Sequence, residues 1–287
     1  MRLAFEANGI VTLTSDFRTA DGYVGAMKGV MLHIAPDLRL HDIAHDVPPQ
    51  DVAHGAGTLA TACRWFPRGS VHLAVVDPGV GTERAAVVVV GGEHVFVGPD
   101  NGLLIDAATA TARAVQPERA RESLRAWRID EHQHLPPRRS STFHGRDVFA
   151  PTAAALAAGL ISPEEVGPTV ELVELPSDPA PAPIGGHLGA TIVRVDGFGN
   201  LVTNLSAWQL SAWSRGRAVV VRLPDGGTLP VAKTFGDVAS GSPVALVGSE
   251  DRLEVAVRDG SAREVLGLRR GTRLQVEVDS RRNGGAG

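Results

Sequence analysis

The chain has 287 residues, 43% of them hydrophobic and 21% charged, which leaves room for one large domain or two ordinary ones with a sizeable core. A net charge of −4 gives no electrostatic case for nucleic acid or an anionic membrane as a partner, and the one cysteine, Cys63, excludes an intramolecular disulfide and a thiolate metal cluster. The N-terminus lacks a basic region followed by an apolar core, and no apolar run approaches the roughly 20 residues of a membrane helix. The expectation is a soluble, cytoplasmic protein.

Ile10–Thr14 is a strand-like run that ends in Ser15-Asp16-Phe17, so a carboxylate stands just past a strand's carboxyl end. A helix follows after Asp21, with Tyr23, Met27, Val30 and Ile34 at helical spacing. Leu38–Ile43 reads as the next strand. After Pro48-Pro49 a second helix carries Val52, Ala56, Leu59, Cys63 and Phe66 on one apolar face. Three strands then follow in Val71–Val76, Ala85–Val90 and His94–Val97, joined by Gly-rich turns. The first is apolar apart from His72, as a strand buried on both faces would be. It stops at Asp77-Pro78-Gly79-Val80-Gly81, with Arg84 seven residues after Asp77. Asp-Pro-Gly is ordinary turn chemistry. In an open α/β sheet the same place is where ligands bind, and the turn can set two opposite charges on one rim. No helix N-terminus follows to receive a phosphate.

The strand–helix alternation predicts an α/β domain over 8–160 with a central, mainly parallel sheet. Within it, 107–139 is weakly patterned and reads as strand fragments and a surface loop, including Glu131-His132-Gln133-His134. The segment Ser141 to Pro151 leads into an Ala-rich helix, with Pro151 in its first turn. Residues 161–187 hold six prolines before Gly186 and read as a stiff connector. Short strands then recur at 190–195, 201–205, 218–222, 228–231, 243–247, 253–257 and 273–278, with one short helix near Ala262–Leu266. That pattern predicts a smaller all-β, barrel-like domain over 188–279. The last residues, 280–287, are expected to be disordered.

Ten histidines raise the question of a metal. His41 and His45, with Asp46 and His54 nearby, lie on a strand running into a turn rather than on one helix face, and no HExxH pattern exists, so no metal site is expected. His144, in a turn with Gly145, Arg146 and Asp147, reads equally as structural or catalytic. The stretch Asp196-Gly197-Phe198-Gly199-Asn200 is either a hairpin turn or a polar rim around an aromatic face. Phe235 and Ser249-Glu250 could add a second aromatic face and a hydroxyl to that rim.

Taken together, seven segments resemble one family. They are TLTSDFRTADGYVGAMKGV (12–30), HDIAHDVPPQDVAHGA (41–56), VVDPGVGTER (75–84), VGPDNGLL (97–104), STFHGRDVFAP (141–151), VDGFGNLVTN (195–204) and LVGSEDRLEVAVRDGSA (246–262). The family is that of the S-adenosyl-L-methionine hydroxide adenosyltransferases, relatives of the fluorinases and chlorinases. The resemblance implies hydrolysis of S-adenosyl-L-methionine to adenosine and L-methionine, with an Asp–Arg–His triad on Asp77, Arg84 and His144 directing water to the ribose 5′ carbon. Halide-using relatives carry Tyr where Asp77 stands, and the fluorinase carries a halide-binding Ser where Gly145 stands, so the chain resembles the water-using branch. By the same resemblance Asp16 grips the ribose hydroxyls and Asp196 meets the methionine ammonium. Phe198, Asn200, Phe235, Ser249, Glu254 and Val257 frame methionine and adenine. Gln50 stands where halogenases have Trp. S-adenosyl-L-methionine is the substrate, and no cofactor or metal is implied. The implied assembly is a homotrimer with active sites at subunit interfaces, and no nucleic acid or membrane is a partner. Two readings from other classes are a nucleoside- or S-adenosylmethionine-binding module without turnover and a metal hydrolase using the histidines. The complete triad argues against the first, and insensitivity to a chelator would dispose of the second.

Overall fold

A computed structural model describes residues 5–130, 140–176 and 180–279. The loop reading for 131–134 and the disorder expected for 280–287 fall outside the described residues. The chain forms two compact units, one ending at Leu175 and the other beginning at Pro176.

The first unit is built on six strands: β1 (Ile10–Ser15), β2 (Arg39–Ala44), β3 (Val71–Val75), β4 (Ala86–Gly91), β5 (His94–Pro99) and β6 (Arg125–Arg128). Their order across the sheet is β2-β1-β3-β5-β4-β6. β2, β1, β3 and β5 run parallel, while β4 pairs antiparallel with both β5 and β6. β1, β3, β4 and β5 are buried along their whole length, which is why their sequences are near-continuous apolar runs. Alternate side chains feed opposite faces. Val71, Leu73 and Val75 of β3 pack with α1 (Tyr23–Ile34) and α4 (Ala150–Ala157). Ala74 and Val76 pack with α2 (Val52–Cys63) and α3 (Ile105–Arg113) on the other face.

Helix α3 falls where the sequence pattern predicted only strand fragments and loop. Its buried positions are mostly Ala and Thr, so no large apolar stripe marks it. Small residues are needed because the helix lies directly on the sheet backbone. A Cβ on Gly91 would sit 2.2 Å from the Ala108 carbonyl oxygen, and Thr111 Oγ1 donates to the Gly91 carbonyl at 3.0 Å. The stretch read as connector also differs in its first half. Part of it is hydrogen-bonded along β6: Arg128 N donates to Pro168 O at 2.8 Å and Val170 N to Ala126 O at 3.1 Å. Further on, the Asp100 carboxylate accepts from Val173 N at 2.9 Å. Prolines lack only the donor, so a Pro-rich strand can still be accepted at an edge.

The second unit contains β7 (Pro183–Ile184), β8 (His187–Val195), β9 (Leu201–Ser206), β10 (Val219–Arg222), β11 (Thr228–Ala232), β12 (Pro243–Val247), β13 (Arg252–Val257) and β14 (Arg273–Val278). The order β14-β10-β11-β12-β13-β9-β8 closes on itself because β14 also pairs with β8, which makes a seven-stranded barrel. β7 is a two-residue hairpin extension of β8. Closure leaves no free edge in the ring and encloses Leu188, Ile192, Leu201, Val221, Val255 and Val276. Besides α6 (Ala262–Leu266) the barrel carries a second helix, α5 (Ala207–Ser214), that the strand pattern did not foretell. It was signalled by a capping box: Ser206 Oγ accepts from Gln209 N, and the Gln209 side chain accepts from Ser206 N. Among the described residues no helix is long and apolar enough to cross a membrane.

The one polar interruption in β3 is accommodated by a buried relay. Thr12 Oγ1 and His72 Nδ1 are 2.7 Å apart, and His72 Nε2 meets His94 Nδ1 at 3.0 Å. Burial pulls the His72 pKa down to about 3, helped by His94, and pulls that of His94 to about 4, helped by Arg68. Both rings are therefore held neutral while the unfolded chain takes up protons below its ordinary value of 6.5. The histidine contribution to stability is complete above about pH 6.5 and is lost as pH falls toward about 4. Urea unfolding between pH 7 and 4.5 should lose at least one proton's worth of stability, about 1.4 kcal/mol per pH unit. The double variant H72Q/H94Q should show a flatter slope, and an unchanged slope would contradict this role.

Candidate active site

β1 and β3 are adjacent and parallel, with Ser15 opposite Val75. The sheet extends from β1 toward β2 on one side and from β3 toward β5 on the other, so their carboxyl ends form the topological switch point. Asp16 follows β1 and Asp77 stands two residues past β3, which brings both carboxylates to this crevice.

The turn after β3 folds back through Val80 N to Asp77 O and Thr82 N to Gly79 O, with Gly81 at φ 80°. That return lays Arg84 across Asp77. Arg84 Nε donates to Asp77 Oδ1 at 3.0 Å and Nη2 to Oδ2 at 2.5 Å. The Asp77 and Arg84 side chains are only 5% and 8% exposed, so the bidentate pair is desolvated and needs this geometry. Nη1 is held by the Ala85 carbonyl at 2.8 Å, and the guanidinium lies over the Phe149 ring.

Arg84 Nη2 also reaches His144 Nδ1 at 3.1 Å. A guanidinium only donates, so Nδ1 accepts, and the neutral imidazole carries its proton on Nε2. His144 is buried and immediately precedes a π-helical turn, Gly145–Phe149, closed by Ala150 N to Gly145 O. Such wide turns inside a helix frequently mark functional sites. Pro151 therefore lies inside a continuous helical segment that starts with this turn. Gly145 is tightly enclosed: a Cβ would lie 3.0 Å from Met27 Sδ and 3.2 Å from the rings of both Phe143 and Phe17.

Those rings belong to an aromatic group that sequence reading did not single out. Phe17, Tyr23 and Phe143 meet edge-on or tilted, with centroids 5.2–5.9 Å apart. Arg146 stacks on Phe143 and pairs with Asp147, which also accepts from Ser140 N. The signal was available: Phe17 follows Asp16 and Phe143 precedes His144, in a chain with only 5% aromatic residues. Asp16 is half-buried, and its Oδ2 accepts from Gln50 N at 2.9 Å. Gln50 sits at φ 65°, so the position where halogenases have Trp is here a backbone donor to Asp16.

In the second unit, the Asp196 carboxylate builds the turn that follows β8. Oδ1 accepts from Phe198 N and Asn200 N, and Oδ2 from Asn200 Nδ2, each at 2.9 Å. The turn leaves Phe198 83% exposed and Asn200 buried. Glu254, in β13, is buried against Gly248, where any Cβ would overlap its carboxylate. Arg194 is paired with Glu250 beside it. Phe235 and Ser249 are exposed. Val257 is not presented outward, because its side chain packs in the barrel core. Among the described residues no three His, Cys, Asp or Glu side chains converge as a metal cluster.

With this geometry in view, comparison with known proteins is decisive. The description of the SAM hydroxide adenosyltransferase N-terminal domain matches residues 11–167, and that of the C-terminal domain matches 190–275. The chain belongs to the SAM hydroxide adenosyltransferase family. It is 42% identical to the (R)-S-adenosyl-L-methionine hydrolase of Salinispora tropica, over 93% of this chain and 97% of that one. The enzyme of the same name from Thermus thermophilus is also 42% identical, over 93% and 98%. A fluorinase from an Actinoplanes species is more distant, at 28% over 87% and 91%. The crystal structure of an uncharacterized conserved protein from Thermotoga maritima superposes with a TM-score of 0.81 at 33% identity, covering 93% of this chain and 99% of that one.

Burial first, and then the charges of Asp196 and Glu250, push the Glu254 pKa up from 4.5 to about 7, against the pull of Arg194. A carboxyl whose folded pKa is raised contributes stability that is complete below about 4.5 and is lost as pH rises through about 7. Glu254→Gln fixes the uncharged form, so thermal unfolding of the variant should lose less stability than the parent between pH 5 and 8. Parallel pH profiles would contradict the assigned burial.

Proposed function

We propose that this protein hydrolyses S-adenosyl-L-methionine to adenosine and L-methionine by attack of water on the ribose 5′ carbon. The observation that carries the reading is the Arg84 guanidinium bridging the Asp77 carboxylate and His144 Nδ1 at the sheet's switch point, in a chain of this family. The relatives' names specify the (R) epimer at sulfur, which is the first substrate to offer.

The substrate's sulfonium departs as a neutral thioether, so the leaving group needs neither a general acid nor a Lewis acid. The task is to hold one water in line with the carbon–sulfur bond in a dry site. His144 was one of two candidate proton acceptors in the sequence, but its accepting nitrogen is engaged by Arg84, which leaves it an Nε2–H donor to the water oxygen. Asp77 keeps a second lone pair on each oxygen and is the acceptor. As the new carbon–oxygen bond forms, the carbon–sulfur pair moves onto sulfur, and the water proton passes to Asp77 and on to solvent. Arg84 keeps Asp77 aimed, and its own charge is offset by that carboxylate.

Asp16 is assigned to the ribose hydroxyls. Phe198, Asn200, Phe235, Ser249, Glu254 and Val257 are assigned to adenine and methionine, with Asp196 acting chiefly through the turn it builds and as a negative charge facing the ammonium. The exposed Phe198 supports an assembly in which a neighbouring subunit covers it, a homotrimer with sites at subunit interfaces. The setting of this reaction is cytoplasmic, and it requires no metal or cofactor.

Incubation with each sulfur epimer should yield adenosine and methionine, undiminished by a chelator. Neither product from either epimer, with no adenosine bound, would sink the proposal. Asp77→Asn should lower the single-turnover rate by roughly 10²-fold or more, the scale of general-base loss, while adenosine binding changes little. Weak binding with normal turnover of bound substrate would make Asp77 a binding residue instead. His144→Gln, which can still donate, should retain more activity than His144→Ala. In sedimentation the active species should be a trimer, and full specific activity from a monomer at high dilution would refute the shared site.

A further inference from the structure

His45 follows β2, and the reaction proposed above makes no use of it. It is buried among a set of polar groups next to the turn that carries Asp16. Lys28 Nζ, from α1, donates to Asp42 Oδ2 at 2.6 Å. Asp42 Oδ1, on β2, lies 3.0 Å from His45 Nε2, an ion-pair distance without hydrogen-bond alignment. His45 Nδ1 lies 2.7 Å from Ser15 Oγ, at the carboxyl end of β1. Ser15 Oγ is also 3.3 Å from Phe17 N, which donates to it. The Asp42 carboxylate beside Nε2 favours the proton there, which turns Nδ1 to the Ser15 hydroxyl as acceptor.

His45 also acts through its backbone: its carbonyl accepts from Arg18 N at 2.8 Å. Arg18 has φ 56°, a left-handed conformation that a non-glycine residue keeps only when its surroundings hold it. One residue thus holds both sides of the Ser15–Arg18 turn, by its ring at Ser15, whose hydroxyl accepts from Phe17 N, and by its carbonyl at Arg18. Asp16 lies between these anchor points, and its other support is Gln50 N. Phe17, in the same turn, is a wall of the aromatic group packed on Gly145.

We propose that His45 is a positioning residue which, relayed through Ser15 and backed by Asp42 and Lys28, sets the turn presenting Asp16 and so controls substrate affinity without touching substrate. The proposal rests on the assignment of Asp16 to the ribose hydroxyls. Truncating His45 removes the ring contacts but leaves the triad of Asp77, Arg84 and His144 untouched, so the effect falls on binding.

His45→Ala and Ser15→Ala should each raise the adenosine Kd and the KM for S-adenosyl-L-methionine by about tenfold, the scale of one net hydrogen bond's 1–1.5 kcal/mol, with kcat within about threefold of the parent. His45→Gln, whose amide offers an acceptor and a donor, should recover much of the loss, while His45→Leu should not. The double variant should fall short of the product of the two single effects, because both break one chain. Amide hydrogen exchange provides a readout that needs no substrate: the Phe17 and Arg18 amides should lose protection in His45→Ala and Ser15→Ala. Should the parent neither bind adenosine nor turn over, the functional reading fails while the exchange result still decides the positioning claim. Unchanged exchange at Phe17, unchanged adenosine affinity in Ser15→Ala, or a loss confined to kcat would each overturn it.

Discussion

Everything at the candidate site depends on where Arg84 spends its donors. A guanidinium has five N–H groups in a fixed plane and no acceptor, so every group it touches becomes an acceptor aimed at it. Here that plane is shared among both Asp77 oxygens, the Ala85 carbonyl and His144 Nδ1. The consequence is chemical as well as structural. A histidine free to accept could serve as a base, whereas one that already accepts from arginine presents its N–H. The ion pair is desolvated on both sides, and such a pair is costly unless its bonds are nearly complete. The Gly-rich return turn after β3 provides that completeness by bringing Arg84 back onto Asp77.

The same constraint explains why the site is assembled from distant parts of one sheet. β1 and β3 supply two carboxylates at neighbouring strand ends, and the helix beginning near His144 supplies the imidazole from the face of α1. Gly145 lets the aromatic group of Phe17, Tyr23 and Phe143 close against that helix. A Cβ there would press on Met27 and two phenyl rings, which must each give by a few tenths of an ångström. Rigidity is thus distributed: the sheet fixes the carboxylates, the aromatic group fixes the π-helical turn, and the polar chain through His45 fixes Asp16.

Much of this was legible in the sequence. Continuous apolar runs marked the buried strands, and the seven regularly spaced short strands of the second unit marked its barrel. Asp77, Arg84 and His144 were legible as a set only through the family resemblance, since 60 residues of chain separate Arg84 from His144. What escaped did so for physical reasons. Helix α3 lies flat on β4 through Ala and Thr, so it has no hydrophobic stripe to detect. Residues 161–175 hold only two of the connector's six prolines, and they pair with β6 through the Pro168 carbonyl and the Val170 N–H. The directions of the hydrogen bonds at His144 and His45 follow from three-dimensional neighbours that no spacing encodes.

The central claim is that a water held by Asp77 and His144 attacks the ribose 5′ carbon. A single turnover in water enriched in heavy oxygen tests it most directly. The account predicts that one labelled oxygen enters the 5′ hydroxyl of adenosine and that methionine emerges unlabelled. Label in the amino-acid product, or adenosine formed without label, would contradict it.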